Sequence, residues 1–561
     1  LESVKVKINN KTINVPSGIT LDDLSKEYAS DFKHDILLAE VNNELRELHY
    51  KVEYDCTIRF LDITDKNGFR AYQRSAIFLM ICACKEILGK KVRVVVEHSI
   101  NKNCYCEIIN DGINDNPAGI NGIKEVTDEL LNEIENRMKQ IAEEDFPIEK
   151  YSLSIEKAER LCEEFGLNDK TELLKFRRTS NVNYYKLSWF YDYFYGQLVS
   201  HTSLLKFFKL VKKYDGFILQ LPDVTSDKPI SDITHFDKIS GIFRESSQWA
   251  RILNIDTVGA LNKKICNGEL GNIIRTAEAL HEKKVAEIAD KISLDKKRIV
   301  LIAGPSSSGK TTFSHRLSIQ LKVNGIQNKI ISIDDYFNDQ ENTPSAENPT
   351  EFDFESIEAV DYKLLQSHLV KLLNGETVEI PSFNFGAGKR EYKGHFLTVK
   401  KDEVLIVEGI HGLNEKISNQ IDAKDKFKVF ISALTQLNVD DHNRIPTTDT
   451  RLLRRIIRDF QYRKVDAVAT IRMWAQVTQG EARNIFPYQE QADAIFNSAL
   501  SYELCVLKQY VEPVLFAIGK DVSEYTEARR LIKFLDSFLG VSSGDVPKNS
   551  IIREFIGGSC F

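Results

Sequence analysis

Gly304-Pro305-Ser306-Ser307-Ser308-Gly309-Lys310-Thr311 fits the pattern G-x-x-x-x-G-K-[ST], and Thr312 continues it. The apolar run "RIVLIA" leads into it and a helix-like run follows. In that setting the glycines let the backbone turn tightly, so that successive N–H groups face phosphate oxygens, and a helix N-terminus adds partial positive charge. The chemistry expected is ATP binding, with Lys310 reaching the β and γ phosphates and Thr311 holding Mg²⁺.

Acids follow at the ends of further apolar runs. "IISIDDYFND" carries Asp334 and Asp335 at the carboxyl end of an expected strand, where open α/β sheets place ligand groups. A carboxylate there can take a proton from an attacking hydroxyl, and Asp334 is also a candidate metal-side group. "EVLIVEGIHGL" ends in Glu408, a second metal-side candidate, with His411 close behind. "DTRLLRRIIRDFQYRK" sets Arg451, Arg454, Arg455 and Arg458 at helical spacing, opposite Leu452, Leu453, Ile456 and Ile457. Such arginines suit a solvated face, RNA contact, or closure over a transferring phosphate. The chain has no N-K-x-D, which a guanine-binding switch would want. The segment between the loop and Glu408 is acidic and aromatic in places, as an acceptor-binding insertion would be.

These groups need a scaffold. "RIVLIA", "KIISID", "EVLIVEG" and "FKVFIS" are apolar almost throughout and alternate with helical patterns, which predicts a parallel sheet covered on both faces. At 561 residues the chain is too long for one core. The reading is a small α+β unit over 1–64, a second α+β unit over 65–225, a helical connector over 226–296, an α/β unit with a doubly wound parallel sheet over 297–500, and a helical segment over 501–561. In the first unit Asn9-Asn10 marks a hairpin and "SGITLDDLSKEY" a turn and helix. In the second, Thr127 is expected to cap a helix with Leu130, Ile134, Met138 and Ile141 along its buried stripe. His281 is expected to pack within a connector helix.

Net charge is −7 and charged residues make up 28%, which argues against disorder and against a generic nucleic-acid binder. Nine cysteines are spread without a CxxC pair, so a reducing compartment is expected, and "NCYCEIIN" reads as small apolar residues on a strand. The longest apolar run, "AIFLMICAC", is far short of a bilayer span, and no leader pattern is seen. The expectation is a cytoplasmic protein with no membrane partner.

With these motifs together, the C-terminal half resembles the uridine kinase and phosphoribulokinase family of P-loop kinases. The resemblance rests on "GPSSSGKTT", "SIDDYF", "FDFESIEAVD", "GETVEIPSFNF", "VLIVEGIHGL" and "DTRLLRRIIRD", in that order. It implies transfer of the ATP γ-phosphate to a nucleoside 5′-hydroxyl. It puts the catalytic aspartate at Asp334, with Asp335 one position away, and places Glu355 at the sugar. Arg451, Arg455 and Arg463 fall in the arginine-rich helix and lid, and Arg390 beside the acceptor. Uridine kinases commonly read the pyrimidine with a tyrosine and a histidine, and here those positions are Phe383 and Gly388. The ring of Phe383 remains for stacking on a base, and the polar handles are gone.

Residues 1–64 resemble a TGS domain, and 65–225 resemble the editing domain of threonyl-tRNA synthetase, most strongly in "VTDELLNEIENRMKQIAEEDFPIEK". The four editing positions here are Arg74, Phe78, Phe194 and Leu198, none of which serves that chemistry. The resemblance leaves tRNA or RNA contact open, and with it a second reading as an RNA-responsive ATP-binding protein. A third reading keeps the kinase and makes a sugar phosphate the acceptor. Assembly into a homo-oligomer is a family expectation.

Overall fold

The structure is a computed structural model that describes residues 3–9, 11–100, 102–109, 126–224, 228–230, 237–339, 353–435 and 437–561. At the N-terminus, strands Ser3–Ile8 and Lys11–Pro16 pair antiparallel. Asn10 of the expected Asn-Asn turn lies outside the described residues. A second hairpin joins Leu38–Val41 to Glu44–Arg46 through Asn42 and Asn43, both left-handed at φ 49° and 60°. Two left-handed residues in a two-residue loop match the twist of the strands, and asparagine tolerates them.

The next unit is built on the long helix Lys66–Leu88, capped by Asp65, which accepts from the Asn67 N–H. Against it lie a four-stranded and a three-stranded antiparallel sheet. Thr127 caps the helix Asp128–Glu143 by accepting from the Leu130 N–H. The buried stripe of that helix is Leu131, Ile134, Met138 and Ile141, with Leu131 in place of the expected Leu130. Cys104 and Cys106 are buried, and burial pushes the Cys104 thiol up to about 11, so both behave as small apolar side chains. Helices Asp237–Ile252, Val258–Cys266 and Leu270–Leu294 follow. His281 is buried with Nε2 3.1 Å from the Ala499 carbonyl, and burial lowers its pKa to about 3.

The α/β unit holds the elements used below: β1 (Ile299–Ala303), α1 (Lys310–Val323), β2 (Asn328–Ser332), β3 (Val404–Glu408), β4 (Lys426–Ser432), α2 (Thr447–Arg458), α3 (Ala467–Asn484) and β5 (Ala494–Asn497). The sheet order is β2-β3-β1-β4-β5, with every neighbouring pair parallel. Its faces follow from the period of a strand. Ile299, Leu301, Leu405 and Val407 share one core with Leu365 and Leu369, while Val300, Ile302 and Ile406 share another with Phe313, Leu317 and Val285. The α/β class with a doubly wound parallel sheet is therefore as expected.

Helices α4 (Glu503–Phe516), α5 (Tyr525–Leu535) and α6 (Arg553–Ile556) end the chain. They do not form a separate body. One hydrophobic core runs from Phe78 and Phe194 through Leu261 to Leu452, Leu504 and Leu531. Buried charges also join the second unit to the α/β unit, where Asp440 and Asp441 meet Lys170 and Arg93. Lys170 lies 2.8 Å from Asp192 and 2.9 Å from Asp440, and Arg93 lies 2.6 Å from Asp441. Among the described residues, no helix is long and apolar enough to cross a membrane.

Candidate active site

The loop between β1 and α1 leaves the sheet at Gly304, where a Cβ would stand 2.1 Å from the Ile431 carbonyl oxygen. Only glycine fits that gap. Ser307 (φ 60°) and Gly309 (φ 88°) are left-handed, and the Ser308 N–H donates to the Pro305 carbonyl at 3.2 Å. Gly309 is the cap of α1, so the loop delivers Lys310, Thr311 and Thr312 as its first turn. These N–H groups have no acceptor one turn back and form an anion site. Lys310 arches back over the loop, with Nζ 3.2 Å from the Pro305 carbonyl. The hydroxyls of Ser307 and Ser308 are buried without partners.

Beside the loop, the strand ends converge. The Thr311 and Ser332 hydroxyls each donate to Glu408 Oε1 at 3.2 Å, and the Asp334 N–H donates to Ser332 Oγ at 3.3 Å. Burial, reinforced by the charge of Asp334, pushes Glu408 up to about 7. Burial also raises Asp334, against the pull of Lys310, Arg463 and Arg458. The two neighbouring aspartates diverge, because Asp335 accepts the Phe383 N–H at 3.4 Å and so holds the strand Ser382–Asn384. Among the described residues no three His, Cys, Asp or Glu side chains form a metal cluster on their own. Thr311 and Glu408 nevertheless fit Mg²⁺. A hydroxyl and an under-neutralised carboxylate beside a phosphate cradle suit an ion that takes few protein ligands and completes its shell with phosphate and water.

Glu355 faces the same region. Burial and then Glu481 push it up to about 8, and its Oε2 is buried without a partner. It is seated on Gly480, where a Cβ would come within 2.3 Å of its own Cβ. Residues 340–352, which include part of the expected acceptor insertion, lie outside the described residues.

The arginine helix divides its labour. Arg451 is a correction to its expected place over the phosphates. It is 1% exposed and bound bidentately to Glu481 at 2.6 and 2.8 Å, with Nη1 also donating to the Ser306 carbonyl at 3.1 Å. Glu481 in turn accepts the Ser306 N–H at 2.8 Å, so the pair braces the loop from behind. Arg454 does the same at Ser307, donating to its carbonyl at 3.2 Å while pairing with Glu503. Arg455 reaches the loop's own side chain, donating to Ser306 Oγ at 2.8 Å and pairing with Asp459 at 3.1 Å. Arg463 pairs with Asp459 at 3.2 Å and is half exposed. Arg458 belongs to the same spaced set. Burial, with Arg463 beside it, lowers it to about 10, and its charge acts on Asp334. The i, i+3 step from Arg455 was the signal that marked it.

One acceptor-side expectation is corrected. Phe383 is buried, with its ring 5.6 Å from Phe337 and 5.0 Å from Phe385, so it is core, and the exposed ring there is Phe385. Arg390 is engaged by Asp361 at 3.0 Å, the carboxylate that caps the helix Tyr362–Leu373. Gly388 is left-handed at φ 64° and closes the turn that returns to Lys389–Glu391, a backbone that a histidine would strain.

The editing-like unit shows the opposite of a site. Arg74 donates to the Gln197 carbonyl at 3.0 Å, the Phe78 and Phe194 rings meet edge-on at 5.4 Å, and Leu198 is fully buried. The four positions fill their own space.

Comparison with known proteins agrees with both halves. The model of the "Phosphoribulokinase / Uridine kinase family" matches residues 299–503. The uridine kinase of Mycoplasma genitalium is 32% identical over 190 residues, covering 33% of this chain and 77% of that one. That of Deinococcus deserti is 30% identical over 166 residues, covering 29% and 70%. The threonine–tRNA ligase of Acetivibrio thermocellus is 27% identical over 195 residues, covering 35% of this chain. The chain spans only 29% of that ligase's length. A phosphate loop, a carboxylate-lined strand edge and an arginine helix, matched over most of two uridine kinases, make the chain a member of the phosphoribulokinase / uridine kinase family.

Proposed function

We propose that the chain transfers the γ-phosphoryl group of ATP to the 5′-hydroxyl of a nucleoside. The observation that carries this is the convergence of Thr311, Ser332, Glu408 and Asp334 at the mouth of the phosphate loop. Lys310 and the first turn of α1 hold the phosphates, Arg458 and Arg463 supply cations around Asp334, and Arg455 stands at Ser306 of the loop. Asp334 takes the proton of the attacking hydroxyl, since Asp335 is spent on the Phe383 N–H. Glu355, at about 8, keeps its proton at neutral pH and can donate to a sugar hydroxyl. Mg²⁺ at Thr311 and Glu408 would neutralise charge on the phosphates. The rest of the rate is positioning in a braced loop.

With Phe383 in the core and Gly388 in a turn, base recognition passes to other groups, and a uridine-like acceptor is reached through the sugar more than through the base. The editing-like unit serves as a scaffold or binding platform, and its hydrolytic chemistry is absent. The test is ATP consumption with Mg²⁺ across nucleosides, with sugar phosphates as a second panel and Lys310→Ala as control. Lys310-dependent turnover with nucleosides supports the reading. Turnover with sugar phosphates alone overturns the acceptor.

A further inference from the structure

The last residues of the chain lie on the phosphate loop. Ile551 is fully buried against Gly309, where an added Cβ would stand 2.5 Å from Ile551 Cγ2. Phe555 lies under the Arg454 guanidinium at 5.1 Å, and the Phe561 ring stacks on His315 at 5.2 Å. Between them stands Glu554. Its Oε2 accepts from Thr312 Oγ1 at 2.8 Å and from the Thr312 N–H at 3.4 Å, and its Oε1 lies 3.8 Å from Arg458.

Thr312 is the third residue of α1, within the turn whose N–H groups have no partner of their own and attract anions. A carboxylate there uses the donors that a phosphate chain would use and brings the same charge. It also holds Arg458, one of the cations that acts on Asp334. We propose that Glu554 is a built-in occupant of the phosphate site, which the donor nucleotide must displace, so that this tail residue sets nucleotide affinity and restrains the arginine until the nucleotide arrives. Displacement needs only a side-chain rotation, because Ile551 and Phe555 anchor the tail in the core. The inference rests on the reading of the loop as the ATP site.

The experiment is titration of the full chain with ATP and with inorganic tripolyphosphate, for the parent, Glu554→Gln and Lys310→Ala. Glu554→Gln removes the charge and keeps the shape, and both ligands are expected to bind about tenfold more tightly. If the glutamine variant does not fold, Glu554→Ala, which removes the carboxylate altogether, is expected to give the same tightening. Equal or weaker binding in the Glu554 variants, with binding lost in Lys310→Ala, overturns the tail proposal and leaves the loop reading standing. Unchanged binding in Lys310→Ala, or no binding by any form, overturns both.

Discussion

The phosphate loop and the four positions of the editing-like unit are both walled by buried side chains, yet the side chains at their centres differ. At the loop, Ser307, Ser308 and Glu355 keep buried polar atoms without partners, and burial, with the charge of Asp334 beside it, raises Glu408. At the four editing-like positions, Arg74 Nε donates to the Gln197 carbonyl, and Phe78, Phe194 and Leu198 are apolar and buried. Unpaired buried polar groups cost stability, so a fold keeps them where a ligand completes them.

The sharpest test of the contrast is Lys310→Ala, expected to lower phosphoryl transfer at least about a thousandfold with little change in melting temperature. Next is Asp334→Asn, expected to cost about 10²–10⁴-fold in kcat with ATP affinity within about twofold, while Asp335→Asn loosens the Phe383 strand and spares kcat. Equal kcat losses in the two would reverse their roles. On the packed side, Phe78→Ala is expected to cost about 3–5 kcal/mol in urea unfolding, with nucleotide affinity unchanged in the protein still folded.

A smaller effect is expected from pH. Glu408 and Glu355 have folded pKa values of about 7 and about 8, above the carboxylate range of the unfolded chain. The folded state therefore binds more protons, and ligand-free stability is full below about pH 4.5 for these groups and falls as pH rises toward 8. The melting temperature should drop by roughly 5 °C between pH 5 and 8, and Glu355→Gln should remove the upper part of that fall. Smallest of all, Arg74→His should produce no deacylation of mischarged tRNA.

Much of this was legible in the sequence because each motif sits at the end of an apolar run. Four strands announce themselves by unbroken apolar stretches. The fifth, Ala494–Asn497, escapes because only Phe496 of its four residues is buried. Leu131 replaces Leu130 on its helix because neighbouring leucines fit one stripe about equally until the sheet beneath chooses. Arg451 and Arg455 are alike by spacing. What separates them is Glu481, which comes 30 residues later and neutralises the first. Phe383 reads as an open ring because nothing in its own segment shows Phe337 beside it. Glu554 reaches Thr312 across 242 residues, with no local pattern to betray the contact.

The boundary between the editing-like unit and the kinase has a consequence for how the chain can be divided. Asp440 and Asp441 sit at the root of the loop that leads to α2, and both are almost wholly hidden from water. Their counter-charges, Lys170 and Arg93, belong to the other unit. Excising residues 65–225 would strip Asp440 and Asp441 of those cations and lay bare the hydrophobic core that both units share, so the remainder should be less stable and more prone to aggregate than the whole chain. The unit that resembles an editing domain thus helps hold the kinase-family unit together.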